Sequence, residues 1–129
     1  MVNILIIDDE PGIRDLLRRS LTLAGHVCSE AEDGAKGIAA FVRERPDLVI
    51  TDIIMPSCDG IQAIIAMRHV SPDVPIIAVS GGGQSGPRSL LELAGDVGAS
   101  ACMTKPFSLR LLHQIVGRYL PAEARSGTG

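Results

Sequence analysis

Apolar residues gather in five short runs separated by stretches of helical periodicity. Val2 to Ile7 is an apolar run ended by Asp8-Asp9-Glu10, with Pro11 where a first helical turn tolerates it. Ile13, Leu16, Leu17 and Leu21 alternate with Arg14, Asp15, Arg18 and Arg19, which predicts a helix with one buried and one wet face, stopped at Gly25. His26 to Ala31 reads as a second strand. Asp33-Gly34 opens a helix carrying Ile38, Phe41 and Val42, and Pro46 closes it. Leu48 to Pro56 is rich in β-branched residues and holds one acid, Asp52. Such a run is a buried strand of a parallel sheet, and Pro56, unable to donate to a ladder, puts Asp52 at the junction of strand and loop.

The second half repeats the unit. Gly60 to Val70 is helical through Ile61, Ile64, Ile65 and Met67, and Ser71-Pro72 breaks it. Val74 to Ser80 is a fourth strand. Gly81 to Pro87 is glycine-rich, and a fourth helix through Leu90, Leu91, Leu93 and Ala94 ends at Gly95 or Gly98. Ala99 to Thr104 is a fifth strand, followed by Lys105-Pro106. Phe107 to Leu120 is a last amphipathic helix with an apolar stripe of Leu109, Leu112, Val116 and Leu120. Alternating strands and helices predict an α/β fold, a parallel sheet with helices on both faces. Right-handed crossovers then place all five strand ends on one edge, where open sheets carry their chemistry.

Composition narrows the function. With 129 residues, 46% of them hydrophobic, the chain is one domain with a sizeable core, expected over residues 1–121 with 122–129 as tail or linker. A net charge of -3 and scattered basic residues argue against nucleic acid or a membrane as the partner. Cys28, Cys58 and Cys102 show no paired spacing and read as buried thiols in a reducing cytosol. His26, His69 and His113 have no metal-like spacing and read as solvent-facing. The first apolar run is too short for a secretion signal or a membrane span, so the expected compartment is the cytoplasm.

What gathers at the sheet edge is Asp8-Asp9, Asp52, Ser80 and Lys105. Three carboxylates there repel one another unless neutralised, and a hard divalent ion with oxygen ligands, Mg2+, does so. A lysine and a hydroxyl beside that acidic cup suit the oxygens of a phosphoryl group. With a carboxylate as the nucleophile, the product is an acyl phosphate on aspartate.

In this order, Asp8-Asp9, Asp52 with Met55-Pro56 behind it, Ser80, and Lys105-Pro106-Phe107 resemble the receiver domain of two-component response regulators, over residues 2 to 120. The resemblance implies a (βα)5 flavodoxin-like doubly wound sheet, strand order 2-1-3-4-5. It implies that Asp52 accepts a phosphoryl group from a histidine kinase or histidine phosphotransfer protein. It further implies that Asp9 binds Mg2+ directly, Asp8 through water, and that Asp52 and the Ile54 main-chain carbonyl complete the ligands. Lys105 would pair with the phosphoryl oxygens, and Ser80 would turn inward to bond them as the switch. A downstream protein effector, and a dimer through the surface of the fourth and fifth helices, are the further contacts implied.

Departures from the family pattern bear on mechanism. The aromatic residue that receivers carry three positions before the lysine is replaced by Cys102, read as a small core residue. Glycines at Gly81, Gly82 and Gly83 suggest that phosphorylation orders the loop into the fourth helix rather than shifting a rigid one. Ile54 and Gly82, at the two positions that tune water attack, cannot orient a water, so self-dephosphorylation is expected to be slow. Two other classes stay open: an aspartate-nucleophile phosphatase, whose second acid would stand where Ile54 is, and a non-switching interaction module. With no effector after the domain, output is expected through protein contact, unless the chain is a fragment of a longer one.

Overall fold

In the computed structural model the described residues are 2–53, 60–80 and 88–120, with the backbone alone for 88–91. Met55, Pro56, Cys58, the Gly81 to Pro87 loop, the Ile54 carbonyl and the tail after Leu120 lie outside them. The elements alternate as β1 (Asn3–Ile7), α1 (Pro11–Leu23), β2 (Val27–Ala31), α2 (Gly34–Glu44), β3 (Leu48–Asp52), α3 (Gly60–Val70), β4 (Ile76–Ser80), α4 (Arg88–Val97), β5 (Ala101–Thr104) and α5 (Leu109–Tyr119). The strands form one parallel sheet in the order β2-β1-β3-β4-β5. This is the flavodoxin-like arrangement, as expected.

Side-chain alternation sorts the core into two layers. Leu5, Ile7, Val49, Ile76 and Ala78 face α2, α3 and α4 with Phe41, Ile64 and Met67. Ile4, Ile6, Ile50, Val79 and Met103 face α1 and α5 with Leu17, Leu21, Leu112 and Val116. Burying a side chain such as Phe41 contributes about 2 kcal/mol over leaving it in water. The central strands β3 and β4 are buried along their whole length, which is why they read as unbroken apolar runs.

Local chemistry sets the element ends. Asp33 caps α2 by accepting from the Lys36 N–H at 2.8 Å, and Ser108 caps α5 by accepting from the Leu111 N–H at 3.0 Å. The α5 helix therefore begins two residues after Phe107. The α4 helix continues through Gly95 and ends at Gly98, whose φ of +125° suits only glycine. Leu16, Val42, Ile65, Leu93 and Leu109, all at helical apolar positions by periodicity, are instead exposed, because their helices bury narrower stripes than the periodicity suggests.

Far from the acidic edge, Ser100 ties four elements together. Its N–H donates to the Ile76 carbonyl at 2.7 Å, its hydroxyl oxygen accepts from the Ile76 N–H at 3.1 Å and from Arg68 at 3.3 Å, and its carbonyl accepts from the Tyr119 hydroxyl at 2.8 Å. Among the described residues no helix is long and apolar enough to cross a membrane.

Candidate functional site

Register brings the chemistry together. Ile7 pairs with Thr51 across β1 and β3, so Asp8 and Asp52 continue as neighbours past the strand ends. Ser80 pairs with Thr104, and the Lys105 N–H donates to the Ser80 carbonyl at 2.7 Å. Asp8 has the parity of Ile4 and Ile6, Asp52 that of Ile50, and Lys105 that of Met103, so all three belong to the α1 and α5 side of the sheet. Ser80 has the parity of Ile76 and Ala78 and belongs to the other side.

Lys105 is the centre of this group. Its Nζ lies 2.9 Å from Asp8 Oδ2, 3.2 Å from Asp52 Oδ2 and 3.8 Å from Glu10 Oε1. Asp8 is only 2% exposed, Asp52 4% and Ser80 3%, and the Lys105 side chain is 12% exposed. Burial alone lowers a lysine pKa, but the hydrogen bond to Asp8 and the charges of Asp52 and Asp8 outweigh it, and Lys105 is held above its ordinary value. An ammonium clamped between two buried carboxylates is charged at neutral pH.

Asp8, Asp9 and Glu10 form a cluster of possible metal ligands, with one carboxylate oxygen from each within 4.8 Å of the others. Glu10 was absent from the sequence-based ligand set, although its place in the acidic run after β1 was a visible signal. Asp52 stands across Lys105 from Asp8. The donors are all hard oxygens, two of them on buried or half-buried residues, which is the chemistry that Mg2+ prefers.

The remaining candidates separate from this site. Cys102 is exposed rather than a core residue, because β5 is an edge strand whose alternate positions Ala101 and Met103 take the α5 face. Partial burial of its sulfur still pushes the thiol pKa up, away from a reactive thiolate. Cys28 is half-buried. His69 is exposed, whereas His26 and His113 are half-buried, and His113 Nε2 lies 2.7 Å from the Ser20 hydroxyl. A cleft of about 540 Å³ runs beside β2 between Arg14, Lys36 and Arg43, away from Asp52. Each of those cations already pairs with a carboxylate, of Glu30, Glu32 and Glu44 respectively, so the cleft has no spare charge to offer a ligand.

Comparison with known proteins agrees with the geometry. A family model described as the response regulator receiver domain matches residues 4–117. The response regulator MprA of Mycobacterium sp. (strain KMS) is 35% identical over 112 residues, 86% of this chain and 47% of that protein. MprA of Mycobacterium leprae (strain TN) is 34% identical over the same shares. The chain thus spans about half the length of the curated relatives it matches. Among solved structures, chemotaxis protein CheY4 of Vibrio cholerae has a TM-score of 0.85 at 28% identity, over 93% of this chain and 99% of that one. TrrA of Thermotoga maritima, solved with Mg(2+)-BeF, has a TM-score of 0.82 at 33% identity, over 93% and 100%. With sheet order, acidic edge and sequence in agreement, this chain belongs to the response regulator receiver domains, signalling modules of two-component systems.

Proposed function

We propose that this chain takes a phosphoryl group onto Asp52 from a histidine kinase or a histidine phosphotransfer protein, and thereby changes its contacts with a downstream protein effector. The observation that carries the reading is the buried Lys105 ammonium held between Asp8 and Asp52. An Asp52 carboxylate oxygen attacks phosphorus, the P–N bond of the phosphohistidine breaks, and the imidazole leaves with its electron pair and takes a proton. Lys105 is placed to offset charge on the phosphoryl oxygens as they arrive. Asp8 and Asp9, with Asp52 and the Ile54 carbonyl, would hold Mg2+, and Glu10 is near enough to Asp8 and Asp9 to join them. The ion, when bound, neutralises the charge that gathers at the transferred group.

Ser80, at the end of β4, supplies the hydroxyl that would turn toward the phosphoryl group as the switch. The surface of β4, α4, β5 and α5 exposes Leu93, Leu109 and Leu111, and is our candidate for effector contact or dimerisation. A kinase donor makes the cytoplasm the expected compartment. The TrrA relative, solved with Mg(2+)-BeF, supports the same ligand chemistry here.

Acetyl phosphate with Mg2+ should label the wild type at one equivalent, detected by intact mass, and Asp52→Ala should remain unlabelled. Equal labelling of the variant would refute the assignment. Turnover of many equivalents of a phosphorylated small molecule would point instead to an aspartate-nucleophile phosphatase. Because Ile54 and Gly82 carry no side chain able to orient a water, the phosphoaspartate should last minutes or longer at neutral pH. Decay within seconds, followed by loss of the phosphorylated mass, contradicts that expectation.

A further inference from the structure

Asp8 is held at every polar atom. Its N–H donates to the Ala31 carbonyl at 3.1 Å, Oδ1 accepts from the Glu10 N–H at 2.9 Å, and Oδ2 accepts from Lys105 at 2.9 Å. The fourth partner comes from α1. Arg14 Nη1 donates to the Asp8 main-chain oxygen at 2.7 Å, the shortest of the four. The other side of the same guanidinium faces β2, with Nε 3.5 Å from Glu30 Oε1, and Glu30 Oε2 is in turn 3.0 Å from Arg18 Nε. Arg14 is largely covered, its side chain 17% exposed. It therefore spans the gap between the acidic turn and the edge strand, held by the Asp8 main-chain oxygen on one side and the Glu30 carboxylate on the other.

We propose that Arg14 is a positioning residue for the metal-binding turn: by fixing the Asp8 carbonyl against Glu30, it sets where the Asp8 and Asp9 carboxylates stand. This rests on the reading of the site given above. A planar fork can donate to a carbonyl and face a carboxylate at once, whereas the single ammonium of lysine is a point donor. Groups that orient ligands in this way govern metal affinity without touching the metal.

The sign of the effect separates this role from simple electrostatics. A cation near an acidic cluster repels an incoming Mg2+, so if Arg14 acted only through charge, its removal would tighten binding. If it positions the turn, removal weakens binding. The test is the Mg2+ dissociation constant, measured by calorimetry on the unphosphorylated protein, alongside the thermal midpoint without Mg2+. Arg14→Met should bind roughly tenfold more weakly, as the loss of a group that orients metal ligands commonly does. Arg14→Lys, which keeps the charge and loses the fork, should also bind more weakly, and decides the matter if Arg14→Met does not fold. Arg18→Met, which alters the same ion-pair network without touching Asp8, should bind Mg2+ like the wild type.

Wild-type affinity or tighter binding in Arg14→Lys or in folded Arg14→Met overturns the positioning role and leaves the site reading intact. A wild type that binds no Mg2+ overturns both.

Discussion

Replacing Gly60 with alanine should cost this domain about 3 to 5 kcal/mol and cripple phosphorylation of Asp52 at the same time. A Cβ built at Gly60 would lie 2.0 Å from the Asp52 carbonyl oxygen, 2.6 Å from Ile53 Cα and 2.9 Å from the Asp52 carbonyl carbon. All three are main-chain atoms, so no rotamer change can relieve the overlap. The Gly60 N–H also donates to the Ile53 carbonyl at 2.7 Å, so α3 starts hard against the end of β3. The helix must retreat or Asp52 must shift. Since a domain of this size has a total stability of roughly 5 to 15 kcal/mol, denaturant unfolding will register the loss easily. Gly117→Ala, where a Cβ meets nothing within 4 Å, should instead stabilise α5 by up to about 1 kcal/mol. A Gly60→Ala protein within about 1 kcal/mol of wild type would show that the β3–α3 approach is far looser than described.

Lys105→Met should lower the stability of the metal-free protein by about 3 kcal/mol, because it strands two buried carboxylates that now share one ammonium. That corresponds to roughly 10 °C in the melting midpoint. Added Mg2+ should restore more stability to the variant than it adds to the wild type, since the ion supplies the positive charge that the side chain no longer does. The pH dependence has a definite sign. Lys105 is raised above the ordinary lysine value of 10.5, so its contribution is fully present below that pH and is lost as the solution rises through the folded value. The gap between wild type and variant should therefore be flat through neutrality and close only in strong alkali. A gap that is absent at pH 7, or that widens with alkali, would count against the clamp.

How much of this was legible beforehand depended on the length scale of the signal. The strands were readable because a strand buried on both faces must be apolar at successive positions, as in Leu48 to Ile50 and Ile76 to Val79. The site was readable because polar groups at the ends of such runs, Asp8, Asp52, Ser80 and Lys105, have few other reasons to follow them. The convergence of Asp8, Asp52 and Lys105 is what the sheet order and register produced. Exposure at the margins was not readable. Cys102 sits in an apolar run like those of the central strands, yet β5 has a neighbour on one side only, and nothing within the run reveals that. Leu16 and Leu109 fit helical spacing but fall just outside the stripe that meets the sheet. Gly60 was visible as the start of a helix, while its need to be glycine comes from main chain eight positions earlier in sequence.

Ser100 gives the molecule a mechanical asymmetry. By joining the ends of α3, β4, β5 and α5 remote from the acidic turn, it acts like the spine of a bound book. Any rearrangement near Asp52 would therefore start from a frame whose far end is pinned by hydrogen bonds to this one residue.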